Sequence, residues 1–201
     1  MILSPGDVSE RTTGCAAAEQ AHFRCRVRAS TERSAVPMRF GLISDTHDHI
    51  VNIRKALALF RERRVEMVLH AGDFCSPAAL LAFREMPFSG VLGNNDGEVF
   101  GLMRAASEIG GRLERDVLEM EIAPGQRLVV YHGYSPAVRQ ALVACGSYTV
   151  AIFGHTHKVE DRQAGVTRVL NPGSAHGFVK RPTAMVFDTV AGLAELLALD
   201  V

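Results

Sequence analysis

MRFGLISDTHDH, residues 38–49, sets an apolar run, Phe40 to Ser44, directly before the polar triplet Asp45-Thr46-His47. The run reads as a strand, and Ile50, Ile53, Leu57 and Phe60 follow at helical spacing up to the charged Arg61-Glu62-Arg63-Arg64. Strand followed by crossover helix is the unit of an α/β fold. Downstream the unit recurs. Val65 to Ala71 is the next strand, Ser76-Pro77 supplies a cap and a first-turn proline for a helix through Glu85, and Ser89 to Leu92 is a third strand. A helix over Gly101 to Ile109 stops at Gly110-Gly111. The second half reads as hairpins: Val117 to Ile122 with Arg127 to Tyr131, and Val159 to Gln163 with Thr167 to Leu170. Between them lie a helix over Pro136 to Cys145 and a buried strand, Val150 to Phe153, and the chain closes on extended segments at Ala184 to Phe187 and Leu193 to Leu199. The expected class is α/β with a mixed sheet in the second half.

Composition narrows the function. The 201 residues suit one domain with a modest appendage, and 47% apolar with 22% charged residues excludes a disordered, collagen-like or coiled-coil chain. Lys plus Arg equals Asp plus Glu at 22 each, so no global field draws the chain to nucleic acid or an anionic membrane. Without a basic, aromatic-studded groove, long nucleic acid is not an expected partner. Cys15, Cys25, Cys75 and Cys145 form no C-x-x-C pair, which fits reduced thiols in the cytoplasm. No apolar run is long enough for a membrane span, and Met1 to Gly6 does not open a secretory leader. Residues 1–37 lack any hydrophobic period and are expected to be a poorly ordered N-terminal extension of a domain over 38–201. Arg24, Arg26 and Arg28 are diluted there by Asp7, Glu10, Glu19 and Glu32, and translation starting at Met38 is the plainer account.

The strand ends carry the chemistry, because ligands of α/β sheets gather outside the carboxyl ends of strands. Five ends bring polar groups: Asp45-Thr46-His47, Gly72-Asp73, Gly93-Asn94-Asn95-Asp96, His132-Gly133 and Gly154-His155-Thr156-His157. They supply seven metal donors: Asp45, His47, Asp73, Asn94, His132, His155 and His157. Carboxylate, amide and imidazole donors without thiolate suit Mn²⁺ first, with Ni²⁺, Fe²⁺, Co²⁺ or Zn²⁺ as alternatives. Two divalent ions sharing a carboxylate at roughly 3.5–4 Å need about this many donors. Each motif alone is a weak signal, a lone Asp-x-His being readable as a surface turn and Gly-His-x-His at a strand end being more suggestive; five in order, each after an apolar strand, point to one site, active or retained only for structure.

The blocks SDTHDH, AGDF, GNNDGE, YHG, FGHTH and NPGS resemble the calcineurin-like metallophosphoesterases, in particular their small YfcE-like phosphodiesterase branch, from about Met38 to the C-terminus. The resemblance implies a four-layer α-β-β-α sandwich with mixed sheets. It places metal one on Asp45, His47, Asp73 and His157, metal two on Asp73, Asn94, His132 and His155, and makes Asp73 the catalytic bridge. It implies in-line attack of a metal-bridging hydroxide on a small phosphodiester. Many relatives carry a leaving-group histidine where this chain has Asn95, and an amide is no general acid. His49 is then a conceivable donor, against a plain helix-start role. Asp96 either orients a metal-bound water or imidazole or is a turn carboxylate. Tyr134 either reaches phosphate or packs, His70 reads as a core histidine, and Cys75 as a small buried hydrophobe. Asn171-Pro172-Gly173-Ser174 is expected to support the site, with Ser174 and His176 as candidate substrate contacts. The alternative function is a retromer-subunit-like protein-interaction scaffold of the same fold, and a homo-oligomer is compatible with either.

Overall fold

In the computed structural model, which describes residues 38–200, β1 (Arg39–Ile43) alternates between two environments as an extended chain must. Phe40 and Leu42 enter a core between two sheets, and Ile43 enters a second core beneath helices. The extension expected over residues 1–37 lies outside the described residues. β1 is flanked in parallel by β2 (Met67–His70), then β3 (Phe88–Val91) and β4 (Arg112–Glu114), and on its other side by antiparallel β10 (Thr183–Asp188) and β11 (Leu193–Ala198). These central strands are covered on both faces, which is why they read as unbroken apolar runs. The pairing Ile43↔His70 brings the ends of β1 and β2 level, so Asp45 and Asp73 emerge side by side.

The second sheet runs β5 (Val117–Ala123), β6 (Gln126–Tyr131), β7 (Val150–Ile152), β9 (Thr167–Pro172), β8 (Val159–Ala164), with β6, β7 and β9 parallel. Leu118, Leu128, Val130, Ile152 and Leu170 pack on Phe40, Leu42, Leu69 and Val91 of the first sheet. α1 (Ile50–Glu62), α2 (Pro77–Leu81) and α3 (Val99–Glu108) cover the outer face of the first sheet through Ile53, Leu57, Phe60, Leu80 and Leu102. α4 (Pro136–Ala144) covers the second through half-buried Leu142 and Val143 over Val129, Tyr131, Phe153 and Val169. The result is the expected α-β-β-α order, with mixed sheets in both halves.

Three local expectations change. α2 stops at Leu81 rather than Glu85: the N–H groups of Ala82, Phe83 and Arg84 bond three residues back, tightening the chain so that Phe83 and Met86 turn into the core. α3 begins at Val99, ahead of the expected Gly101. β4 was not legible, being three residues with only Leu113 buried.

Candidate metal centre

All five polar strand ends meet at one edge of the sandwich. Asp45 and His47 follow β1, Asp73 follows β2, Asn94 follows β3, His132 follows β6, and His155 and His157 follow β7. Five of these seven, Asp45, His47, Asp73, His155 and His157, hold φ between 40° and 64°. Asp and His tolerate the left-handed region better than most residues, yet each still costs about 1–2 kcal/mol there. Such conformations persist only where surrounding bonds over-determine them. Those bonds are present. Asp45 N–H donates to Gly72 O (2.9 Å) and His47 N–H to Asp73 O (3.1 Å). Asp96, buried at 5% exposure, accepts from the N–H groups of Asp73 (3.0 Å), Cys75 (2.8 Å) and Gly93 (2.7 Å). With both oxygens engaged, Asp96 ties the loops after β2 and β3 together.

Two glycines let the carboxylates in. A Cβ on Gly93 would overlap Asp73 Oδ1, and one on Gly154 would overlap Ser44 Oγ and stand 2.9 Å from Asp45 Oδ2. Asp73 is clamped by Asn95, whose backbone N–H donates to Oδ1 (2.9 Å) and whose side-chain Nδ2 donates to Oδ2 (2.8 Å). Asp45 accepts from Ser44 Oγ (2.6 Å) and from His155 N–H (3.0 Å to Oδ2).

The donors fall into two sets whose ligand atoms lie within 4.8 Å of one another: Asp45 with His47 and His157, and Asp45 with Asp73 and His132. Asp73 Oδ2 is 3.6 Å from His47 Nε2 and 3.4 Å from His132 Nε2, so it faces both sets. Asp45 belongs to both sets. Asn94 Oδ1 lies 3.0 Å from His132 Nε2. His155 stands outside both sets, its ring 5.2 Å from that of His132.

The chemistry of this cluster fits divalent cations. His132 Nδ1–H donates to Ala71 O (2.7 Å), which fixes the tautomer and turns the Nε2 lone pair toward two oxygens that are themselves acceptors. Three acceptors so placed repel unless a proton or a cation lies among them. His47 Nε2 is buried with no hydrogen-bond partner. The acid–base behaviour has the same origin. Burial would raise Asp73, but His132 and the Asn95 donors hold it well below the usual carboxylate range. Asp45 is raised by burial, against the Ser44 hydrogen bond and the nearby imidazoles. Burial would lower His132, and Asp73 overrides it to push the imidazole upward. Two adjacent carboxylates pushed in opposite directions are typical of a functional site.

The remaining candidates take definite places. His49 Nδ1 accepts from Asn52 N–H (3.3 Å) and caps α1, while the far edge of its ring packs beneath Gly177. Tyr134 is half exposed and donates its hydroxyl to Asp116 (3.2 Å). His70 is fully buried, bonded at both nitrogens, to Gly72 N–H (3.0 Å) and Thr46 Oγ1 (3.1 Å), and lowered by burial. Cys75 is not the buried hydrophobe expected: it is partly exposed, at φ 76°, with Sγ 3.4 Å from His47 Nδ1, and burial with neighbouring carboxylates pushes its thiol up to about 11. Asn171 does support the site, donating Nδ2 to Gly154 O (2.9 Å) and so holding the turn that carries His155 and His157; Ser174 Oγ donates to Asp45 O (3.0 Å). His176, a candidate substrate contact two residues after Ser174, has its ring 5.2 Å from that of His47 and 5.5 Å from that of His157.

The family model of the calcineurin-like phosphoesterase superfamily domain matches residues 38–192. A phosphodiesterase of Methanocaldococcus jannaschii is 35% identical over 156 residues, covering 76% of this chain and 93% of that protein. A solved archaeal phosphodiesterase superposes with a TM-score of 0.76 at 32% identity, over 80% of this chain and 99% of its own. YfcE, a phosphoesterase from E. coli, shares the fold at a TM-score of 0.58 and 18% identity, over 81% of this chain and 100% of its own.

Proposed function

The chain belongs to the calcineurin-like phosphoesterase superfamily, and we propose that it is a phosphodiesterase working with two divalent cations, Mn²⁺ first among them, at the strand-end cluster. The observation that carries this reading is the buried meeting of acceptors, His132 Nε2 with Asn94 Oδ1 and Asp73 Oδ2, beside the partnerless His47 Nε2. Metal one would take Asp45, His47, Asp73 and His157; metal two would take Asp73, Asn94, His132 and His155. Two ions held there would supply the Lewis acidity that lowers the pKa of an attacking water and would offset charge on the phosphoryl oxygens during in-line displacement.

The chain's own residues prepare that step. Asp73 lies between the sets with its ionised form favoured, and Asn95 fixes which of its oxygens faces both imidazoles. Ala71 O holds His132 in the tautomer that ligates through Nε2. Asp96 keeps the Asp73 turn in its left-handed conformation. The substrate is a small phosphodiester. Among the described residues no helix is long and apolar enough to cross a membrane, and the cytoplasm as compartment rests on cysteines without a pairing pattern. All seven donor positions keep donor side chains, which favours an enzyme over a protein-interaction scaffold of the same fold.

Asp73→Asn tests the proposal. The variant should stay folded, bind less metal and lose at least about 100-fold in hydrolysis of an aryl phosphodiester, on the order of 3 kcal/mol of barrier. Wild-type turnover persisting in excess chelator, with no metal by elemental analysis, would sink the two-metal mechanism.

A further inference from the structure

Asn95 holds its side-chain amide on Asp73, and His49 accepts at Nδ1 to cap α1 with the Nε2 edge of its ring against Gly177, so neither is the group best placed for the departing oxygen. Another group is. Beyond β9 the chain forms a strap whose base is closed by Thr183 N–H on Ser174 O (2.9 Å). Its first residues are anchored on the metal-one side: Ala175 N–H donates to Ser44 O (3.1 Å), and Asn52 Nδ2 donates to Ala175 O (2.8 Å). Gly177 lies so close over His49 that a Cβ there would fall on the imidazole. This sets His176 edge-on to the rings of both His47 and His157, at interplanar angles of 81° and 71°. It belongs to neither donor set. A side chain that packs on two ligands without joining them can reach what the ions would hold.

The tautomer is also fixed. Phe178 N–H donates to His176 Nδ1 (2.9 Å), so the neutral ring carries its hydrogen on Nε2, the nitrogen turned away from the strap. Next along the strap, Phe178 is 96% exposed with its ring 5.7 Å from that of His176. An exposed aromatic ring thus stands beside an imidazole that carries its hydrogen on Nε2 and packs on His47 and His157.

We propose that His176 and Phe178 form the subsite for the departing half of the phosphodiester, with His176 Nε2–H donating to the leaving oxygen and the Phe178 ring flanking a planar aromatic group attached to it. The inference rests on the phosphodiesterase reading above. The bond from phosphorus to the leaving oxygen breaks as the one to the attacking oxygen forms. The leaving oxygen keeps the electron pair, has its negative charge stabilised by the neutral N–H, and takes its proton from water. His176 changes no charge. Neutral donors aimed at a developing oxyanion typically contribute about 10²–10³-fold in rate.

The test compares wild type with His176→Ala, His176→Gln and Phe178→Ala, all metal-loaded, on a series of diesters differing in leaving-group pKa. For His176→Ala we expect about 10²-fold loss with poor leaving groups and little with good ones, hence a steeper dependence, at unchanged metal content. His176→Gln should recover part of the loss. Phe178→Ala should raise KM for aromatic leaving groups and leave fluoroalkyl ones of matched pKa unmoved; simple aryl and nucleobase-bearing diesters, run in parallel, identify which aromatic source fits better. Equal loss across the series, or loss of metal in His176→Ala, overturns the subsite. A readout independent of turnover uses ¹⁵N-histidine protein loaded with zinc: His176 should show the Nε2–H tautomer and shift on adding an aryl phosphonate. No shift, with wild-type hydrolysis intact, refutes the subsite alone; a shift without any metal-dependent hydrolysis refutes the phosphodiesterase reading and leaves the subsite standing as a binding site.

Discussion

Asn95→Ala removes one arm of the clamp on Asp73 and leaves the other. The backbone N–H to Oδ1 (2.9 Å) survives the substitution; the Nδ2 bond to Oδ2 (2.8 Å) does not. Oδ2 is the oxygen that faces His47 Nε2 at 3.6 Å and His132 Nε2 at 3.4 Å, so the lost bond is the one that aims the carboxylate between the two donor sets. A hydrogen bond to a charged group contributes about 1.5–3 kcal/mol. At about 1.4 kcal/mol per tenfold, metal affinity should fall about 10- to 100-fold, the range usual for groups that orient ligands. The assay is titration of chelator-stripped protein with Mn²⁺ against a competing metal dye, with the Asp73 carboxyl followed by NMR in the metal-free state. Affinity should drop and the Asp73 pKa should rise toward its ordinary value, while saturating metal restores most of the activity. Wild-type affinity together with an unmoved Asp73 pKa would refute the clamp and return Asn95 to the role of a bystander.

Gly154→Ala should cost about 1–3 kcal/mol by overpacking and lower metal content as Asp45 and Ser44 are pushed aside, checked by thermal melts and elemental analysis. The pH response of the metal-free protein has two limbs. Asp73, held below its ordinary 3.8, contributes stability above that value, and the contribution is lost as pH falls through its folded pKa. His132, held above its ordinary 6.5, contributes stability below that value and loses it as pH rises through its folded pKa. Chelator-treated protein should therefore melt lower at about pH 8 than at about pH 6, whereas loaded protein, whose imidazoles must be neutral to ligate, should melt higher; the same trend in both would contradict the assignment.

What the sequence made legible, and what it hid, divides along a physical line. Strands buried on both faces announce themselves as apolar runs, and a metal ligand must follow such a run by one to five residues to reach the strand-end edge. Asp45, His47, Asp73, Asn94, His132, His155 and His157 were readable as candidate donors for that reason, each following a strand that ends at this edge. The groups that aim and confine them act across the chain. Asp96 holds an N–H 23 residues away, Asn171 a carbonyl 17 residues away and Asn52 a carbonyl 123 residues away, and no local period records such pairings. The two histidines make the contrast sharpest. His49 drew attention because it lies two residues after a ligand, but the left-handed turn at His47 and Asp48 sends the chain back into α1, where His49 becomes the cap. His176 lies far from every ligand in sequence, yet β9 runs parallel to β7 and delivers the strap to the same edge. Neighbourhood along the chain singled out the candidate donors; neighbourhood across the parallel strands brings a further imidazole, His176, beside two of them.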